Sequence, residues 1–138
     1  MAENKSIDKK AKIGVIASIV TIIVITILEF PAPLGFETRP QDNVSMGWLF
    51  FFLIIVVTEI ATIPLILKKP KLGSIFGIVA GVLNIMQVIA DQLHLMQPEV
   101  ASLGYSLLEG SVVIVSFALI YFCLKINRST RLVDQKKS

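Results

Sequence analysis

Apolar residues run along the chain in four long stretches that are separated by short polar segments. Three of them are almost unbroken: Ile13–Leu28, Trp48–Leu67 and Ser111–Leu124. The fourth, Leu72–Ala90, carries polar residues in its second half. A helix needs about 20 apolar residues to cross a bilayer, and these stretches reach that length with their flanks. The pattern predicts membrane-spanning helices at about 12–30, 47–67, 72–95 and 101–125.

The helices are apolar on all sides, whereas the helices of a soluble domain alternate apolar and polar faces. Hydrophobic residues make up 54% of the 138 residues, which favours a membrane protein over a soluble one. The connections are short and leave no room for a second domain. The sequence therefore predicts an all-α fold, a single transmembrane domain over residues 1–138 that forms an integral membrane four-helix bundle.

Basic residues fall almost entirely on alternate connecting segments. Of the 13 lysines and arginines, only Arg39 lies outside the N-terminal segment, the "LKKPKLG" turn and the C-terminal segment. Cytoplasmic segments carry an excess of Lys and Arg, so this distribution predicts a multi-pass protein of the cell membrane with both termini in the cytoplasm. Membrane topology accounts for these basic ends, and we expect no nucleic-acid partner.

Small residues mark one face of the third helix. Gly73, Gly77 and Gly81 recur every four residues and form a smooth strip. Such a strip lets another helix backbone approach closely. The partner is either a helix of the same chain or one of a second copy, in a homo-oligomer or a larger membrane complex.

Polar residues follow the glycines on the same helix. Asn84, Gln87, Asp91 and His94 fall within an arc of about 80° at 100° per residue. The fourth helix has a similar stripe made of Ser102, Tyr105, Ser106 and Glu109, the second helix contributes Glu59 and the first ends in Glu29. Charged groups inside a membrane face protein or water rather than lipid, so we expect the stripes to converge in the interior of the bundle.

The depth of these groups distinguishes a pocket from a channel. At about 1.5 Å per residue, Glu59 lies about 18 Å from the outer end of its helix and Asn84 about 16 Å, with Gln87 and Glu109 at about 12 Å. Asp91 lies at about 6 Å and His94 near the surface. A channel would be polar to both sides. The sequence instead predicts an outward-opening acidic pocket, with ligand-binding residues Glu59, Asn84, Gln87, Asp91, His94 and Glu109.

Several roles remain open for this pocket. Buried carboxylates without a cationic partner take up protons, so Glu59 is either neutral or faces a cation or polarised ligand. The polar groups could also bond one another and only hold the helices together. Asp91 and His94 have the spacing of metal ligands, but one histidine and dispersed acids do not predict a metal site. Catalytic residues and cofactors are not identified.

The run from Glu59, "EIATIPLILKKPKLGSIFGIVAGVL", resembles the DoxX-like group of small four-helix membrane proteins. That group often has a glutamate in its second span, a short basic cytoplasmic turn and a third span rich in small residues. The resemblance implies a four-helix bundle and a membrane subunit linked to quinone-dependent redox chemistry. The first hypothesis is therefore a pocket for a small ligand or quinone-type cofactor in an accessory subunit of a redox complex.

Two alternative hypotheses belong to other classes of protein. One is a small proton- or cation-coupled transporter, which would be dimeric and would need water to reach Glu59 from the cytoplasm. The other is a purely structural membrane subunit. Whether the protein is an enzyme is left open.

Overall fold

The computed structural model describes residues 2–29, 46–93, 95 and 103–135. These residues form four α-helices: α1 (Ala2–Glu29), α2 (Met46–Lys68), α3 (Pro70–Gln92) and α4 (Leu103–Gln135). Each contains a segment long and apolar enough to cross a membrane: Lys9–Leu28, Phe50–Lys68, Pro70–Gln92 and Leu103–Thr130. The predicted all-α class, with four helices of membrane-spanning length, is confirmed.

The ends of the helices differ from the predicted spans. Helices α1 and α4 continue past the apolar segments into charged residues at the N- and C-terminal ends of the chain. Lys, Arg, Glu and Gln are good helix formers, so a helix does not have to end where its apolar segment ends. Helix α3 ends at Gln92, where the N–H of Leu93 donates to the carbonyl of Ile89 at 3.0 Å.

Helices α3 and α4 lie at the centre of the bundle. Helix α3 packs against α2 and α4, and α4 also packs against α1, whereas α1 and α2 touch little. Residues early in α3 lie beside residues late in α2 and in α4, as at Gly77, which faces Thr62 and Cys123. Neighbouring helices therefore run antiparallel, as in bundles with short connections.

A single residue, Lys69, connects α2 to α3. Its N–H donates to the carbonyl of Leu65 at 2.7 Å, and the N–H of Gly73 donates to the carbonyl of Lys69 at 2.9 Å. Pro70 occupies the first helical position, where a missing N–H costs nothing. This short turn presses the first turn of α3 onto the last turn of α2. A Cβ on Gly73 would collide with the backbone of Ile66, so only glycine fits here without displacing α3 from α2.

The other two glycines of the strip also lie against helices of the same chain. A Cβ at Gly77 would meet the Sγ of Cys123 on α4. A Cβ at Gly81 would lie 2.7 Å from Cγ1 of Ile120 and 3.2 Å from the carbonyl oxygen of Ser116. The strip therefore brings α3 close to α4 in the half of α3 that precedes its polar residues.

The antiparallel order gathers the basic residues at one end of the bundle. Gly14 of α1 lies beside Phe122 of α4, so the start of α1 and the end of α4 lie at the same end. The described helices carry their exposed basic side chains there: Lys9, Lys10, Lys68, Lys71, Lys125 and Arg128. The outward faces between the ends are apolar, with large exposed side chains on all four helices. We refer to the end of the bundle that carries these basic side chains as the basic end.

Candidate functional site

The deepest polar contact joins Glu59 on α2 to Asn84 on α3. Their side chains are 2% and 3% exposed. The Nδ2 of Asn84 donates to Oε1 of Glu59 at 2.7 Å and to the backbone carbonyl of Ala80 at 3.1 Å. A carbonyl oxygen only accepts hydrogen bonds, so the contact with Ala80 fixes which end of the amide faces the glutamate. Both amide hydrogens of Asn84 are therefore donated to acceptors of the protein.

A second carboxyl–amide pair lies further from the basic end. The Nε2 of Gln92, in the last turn of α3, donates to Oε2 of Glu109 on α4. The same nitrogen also lies 3.5 Å from Oγ of Ser106. Glu109 is 3% exposed, whereas Gln92 is itself exposed. This pair connects α3 to α4 in the same way that the Asn84–Glu59 pair connects α3 to α2.

Asp91 is the third buried carboxyl of the described residues, with a side chain that is 3% exposed. It lies seven residues after Asn84 on the same face of α3, about 10 Å further along the helix axis. The buried Val88 lies between them. The site thus has a deep level, formed by Glu59 and Asn84, and an upper level formed by Asp91, Gln92 and Glu109.

Small hydroxyl residues and aliphatic side chains surround the deep level and fill the bundle below it. Ser116, level with Asn84, and Thr62, one turn nearer the basic end than Glu59, are fully buried, and the Thr62 hydroxyl donates to the carbonyl of Thr58 at 2.7 Å. Leu119 and Ile66 fill the space nearer the basic end and are also fully buried. The buried carboxyl groups of the described residues, Glu59, Asp91 and Glu109, therefore all lie in the half of the bundle away from the basic end.

The six predicted ligand-binding residues have different positions in the structure. Glu59, Asn84, Asp91 and Glu109 are buried between the helices, whereas Gln87 is only half-buried. His94 lies outside the described residues, as do Ser102 and the side chain of Glu29. Within the described ranges, no three His, Cys, Asp or Glu side chains form a group that could hold a metal ion. Ligand binding by these residues stays a prediction.

Gln92 is the site residue that the sequence did not suggest. It follows Asp91 directly and therefore points about 100° away from the polar stripe of α3. It reaches Glu109 because α4 packs along that flank of α3. The sequence feature that could have suggested Gln92 is the pair of residues that it contacts, Ser106 and Glu109, which lie three residues apart on one face of α4.

The bond from Asn84 to Glu59 is compatible with either charge state of the glutamate. Oε1 accepts the amide hydrogen whether the carboxyl is ionised or carries a proton on Oε2. Glu59 can therefore gain or lose a proton without breaking its contact with α3. The amide hydrogens of Asn84 and Gln92 are donated to protein acceptors, so these two amides offer no further donor to a ligand.

No protein family, curated protein or solved structure is significantly similar to this chain. The resemblance of the Glu59–Leu83 run to the DoxX-like group stays a prediction.

Proposed function

We propose that this is a small integral membrane protein that binds a cation, or a small ligand rich in N–H and O–H donors, at the buried carboxyls of Glu59, Asp91 and Glu109. In this proposal the protein lies in the cell membrane, with both termini and the turn at Lys69 in the cytoplasm. The site opens to the opposite side, away from the basic end.

The contact between Glu59 and Asn84 is the observation that supports this proposal most strongly. It keeps the carboxyl in place with one oxygen, Oε1, and leaves Oε2 to hold a proton or to coordinate a cation. A proton can thus leave Oε2 as a cation binds, which keeps the net charge of the buried site constant. Intramembrane carboxyls that exchange protons or ions in this way are typical of transport and relay sites.

The chemistry of the site favours a ligand that donates hydrogen bonds. A quinone-type cofactor offers carbonyl oxygens and needs donors from the protein. The amide hydrogens of Asn84 and Gln92 are already donated to Glu59, Ala80, Glu109 and Ser106. A role as quinone-binding accessory subunit of a redox complex would therefore depend on other donors, such as a protonated carboxyl or the Ser116 hydroxyl, which has no hydrogen-bond partner among the described residues. We rank it below cation binding.

Replacement of Glu59 by glutamine tests the proposal. Glutamine has nearly the same size, and its carbonyl oxygen still accepts from Asn84, but it cannot release a proton or carry a charge. The probes are guanidinium, a cation rich in donors, and tetraphenylphosphonium, a cation without them. Binding to the protein in detergent is measured by calorimetry, and proton release is measured in weak buffer with a pH-sensitive dye.

We expect guanidinium to bind to the unmodified protein more tightly than tetraphenylphosphonium and to release protons. Glu59→Gln should bind guanidinium about tenfold to a hundredfold more weakly, because hydrogen bonds to charged groups contribute about 1.5–3 kcal/mol. It should release no protons and unfold at nearly the same temperature. Asp134→Asn, which removes an acid from α4 beyond the membrane-spanning segment, should bind guanidinium normally. A Glu59→Gln protein that binds guanidinium and releases protons normally would exclude Glu59 as the binding group and leave it only a structural role.

A further inference from the structure

A groove of about 460 Å³ opens at the basic end of the bundle, where α3 begins beside the C-terminal part of α4. It is lined by Lys69, Pro70, Lys71, Leu72, Ile75 and Thr130. Ile75 lies nine residues before Asn84, about 13 Å away along the axis of α3. The groove is therefore separate from the carboxyl site and has the opposite charge.

One end of the groove is cationic and carries the side chains of Lys69 and Lys71, both of which are exposed. Thr130 adds little to the binding of an anion, because its hydroxyl already donates to the carbonyls of Ile126 and Asn127 at 3.1 and 3.0 Å. The ligand that fits this end is an anion that accepts hydrogen bonds from ammonium groups. The start of α3 has the same preference, since a helix N-terminus favours negative charge.

The other end of the groove is apolar and continues along the outer face of α3. Leu72 and Ile75 are 40% and 47% exposed in the groove. Val79 and Val82 follow on the same helix and are also exposed. This apolar strip begins within one turn of the two lysines and leads toward the middle of the membrane-spanning segment. A soluble phosphate compound would make no use of it, whereas an acyl chain would cover it.

We propose that this groove binds an anionic phospholipid, with the headgroup phosphate at Lys69 and Lys71 and one acyl chain along the strip from Leu72 to Val82. Basic pockets between membrane helices on the cytoplasmic side recognise anionic headgroups in this way. The inference requires only that the four helices span a membrane. It does not depend on the role of Glu59.

Native mass spectrometry of the full chain in detergent tests the proposal. Phosphatidylglycerol and phosphatidylcholine with identical acyl chains are titrated against the protein, and the affinity of the first bound lipid is measured for each. The test variant is Lys69→Gln with Lys71→Gln. The control variant is Lys9→Gln with Lys10→Gln, which removes the same charge from exposed lysines at the same end of the bundle but outside the groove.

We expect the unmodified protein to bind phosphatidylglycerol more tightly than phosphatidylcholine. The test variant should lose about 30-fold in affinity for phosphatidylglycerol, the factor expected from two basic residues near an anionic lipid surface. Its affinity for phosphatidylcholine should stay the same, and the control variant should change little for either lipid. Equal losses in the two variants would mean nonspecific charge attraction and would overturn the proposal. Glycerol 3-phosphate binding as tightly as phosphatidylglycerol would overturn it as well, because the acyl chain would then contribute nothing.

Discussion

Replacement of Gly73 by alanine should weaken the bundle even though alanine is the better helix former. The added Cβ would lie 2.5 Å from Cα of Ile66 and 2.6 Å from the carbonyl carbon of Leu65. Carbon atoms at van der Waals contact lie about 3.5–4.0 Å apart, so the first turn of α3 has to move about 1 Å away from α2. These neighbours are backbone atoms, so no side chain can rotate to make room.

The size of the effect follows from two opposing terms. Overpacking of a close contact costs about 1–3 kcal/mol, whereas replacing a helical glycine with alanine gains up to about 1 kcal/mol. The displacement also reaches the bond from Asn84 to Glu59. That bond is 2.7 Å long and would be lost if it lengthened by about 1 Å. A hydrogen bond between membrane helices contributes about 0.6 kcal/mol on average. The net loss of unfolding free energy should be about 1–2 kcal/mol.

Gly110 on α4 provides the matched control. A Cβ at Gly110 would meet no atom within 4 Å, so Gly110→Ala should gain stability by up to about 1 kcal/mol. The assay is unfolding in mixtures of dodecyl maltoside and sodium dodecyl sulfate, followed by circular dichroism at 222 nm. The two substitutions are predicted to shift the midpoint in opposite directions. A Gly73→Ala protein as stable as Gly110→Ala would refute the close approach of α2 and α3.

Two further predictions concern the pair of Glu59 and Asn84 and the topology. In a double-mutant cycle, Asn84→Ala and Glu59→Ala should show a coupling energy of about 0.6–1.7 kcal/mol in the same unfolding assay, the range for hydrogen bonds between membrane helices. Zero coupling would show that the pair does not stabilise the bundle. In a Cys123→Ala background, an impermeant maleimide applied to whole cells should label Ser45→Cys and should label Lys69→Cys only after lysis; the reverse pattern would contradict the proposed orientation.

The sequence predicts the four helices well, because a membrane-spanning helix needs only one property, a long enough stretch of apolar residues. That property can be read directly along the sequence. It predicts their ends less well. Helix α1 begins at Ala2 and α4 continues to Gln135. These additional segments contain charged residues, which do not belong to an apolar stretch but have good helix propensity. The interior face of α3 was also predictable, since Asn84 and Asp91 recur at the helical period and both are buried.

The pairing of the polar groups could not be predicted from depth alone. Counting residues from the expected helix ends set Gln87 level with Glu109, whereas the structure pairs Glu109 with Gln92. The axial alignment of α3 and α4 follows from packing, because Gly77 lies against Cys123. Gln92 and Glu109 lie almost equally far along their helices from that contact and therefore meet. A single sequence shows the glycine but does not show which residue on the other helix it will contact.

The two halves of α3 therefore depend on each other. Glycine in the first half, at Gly73 and Gly77, lets α2 and α4 come close enough for carboxyls on those helices to reach amides on α3. The second half supplies the amides, and each one connects α3 to a different neighbour. Because the amide of Asn84 donates to Glu59 in either charge state, the helices need not separate when a proton leaves. The proposed exchange of a proton for a cation would therefore leave the packing of the bundle around the site unchanged.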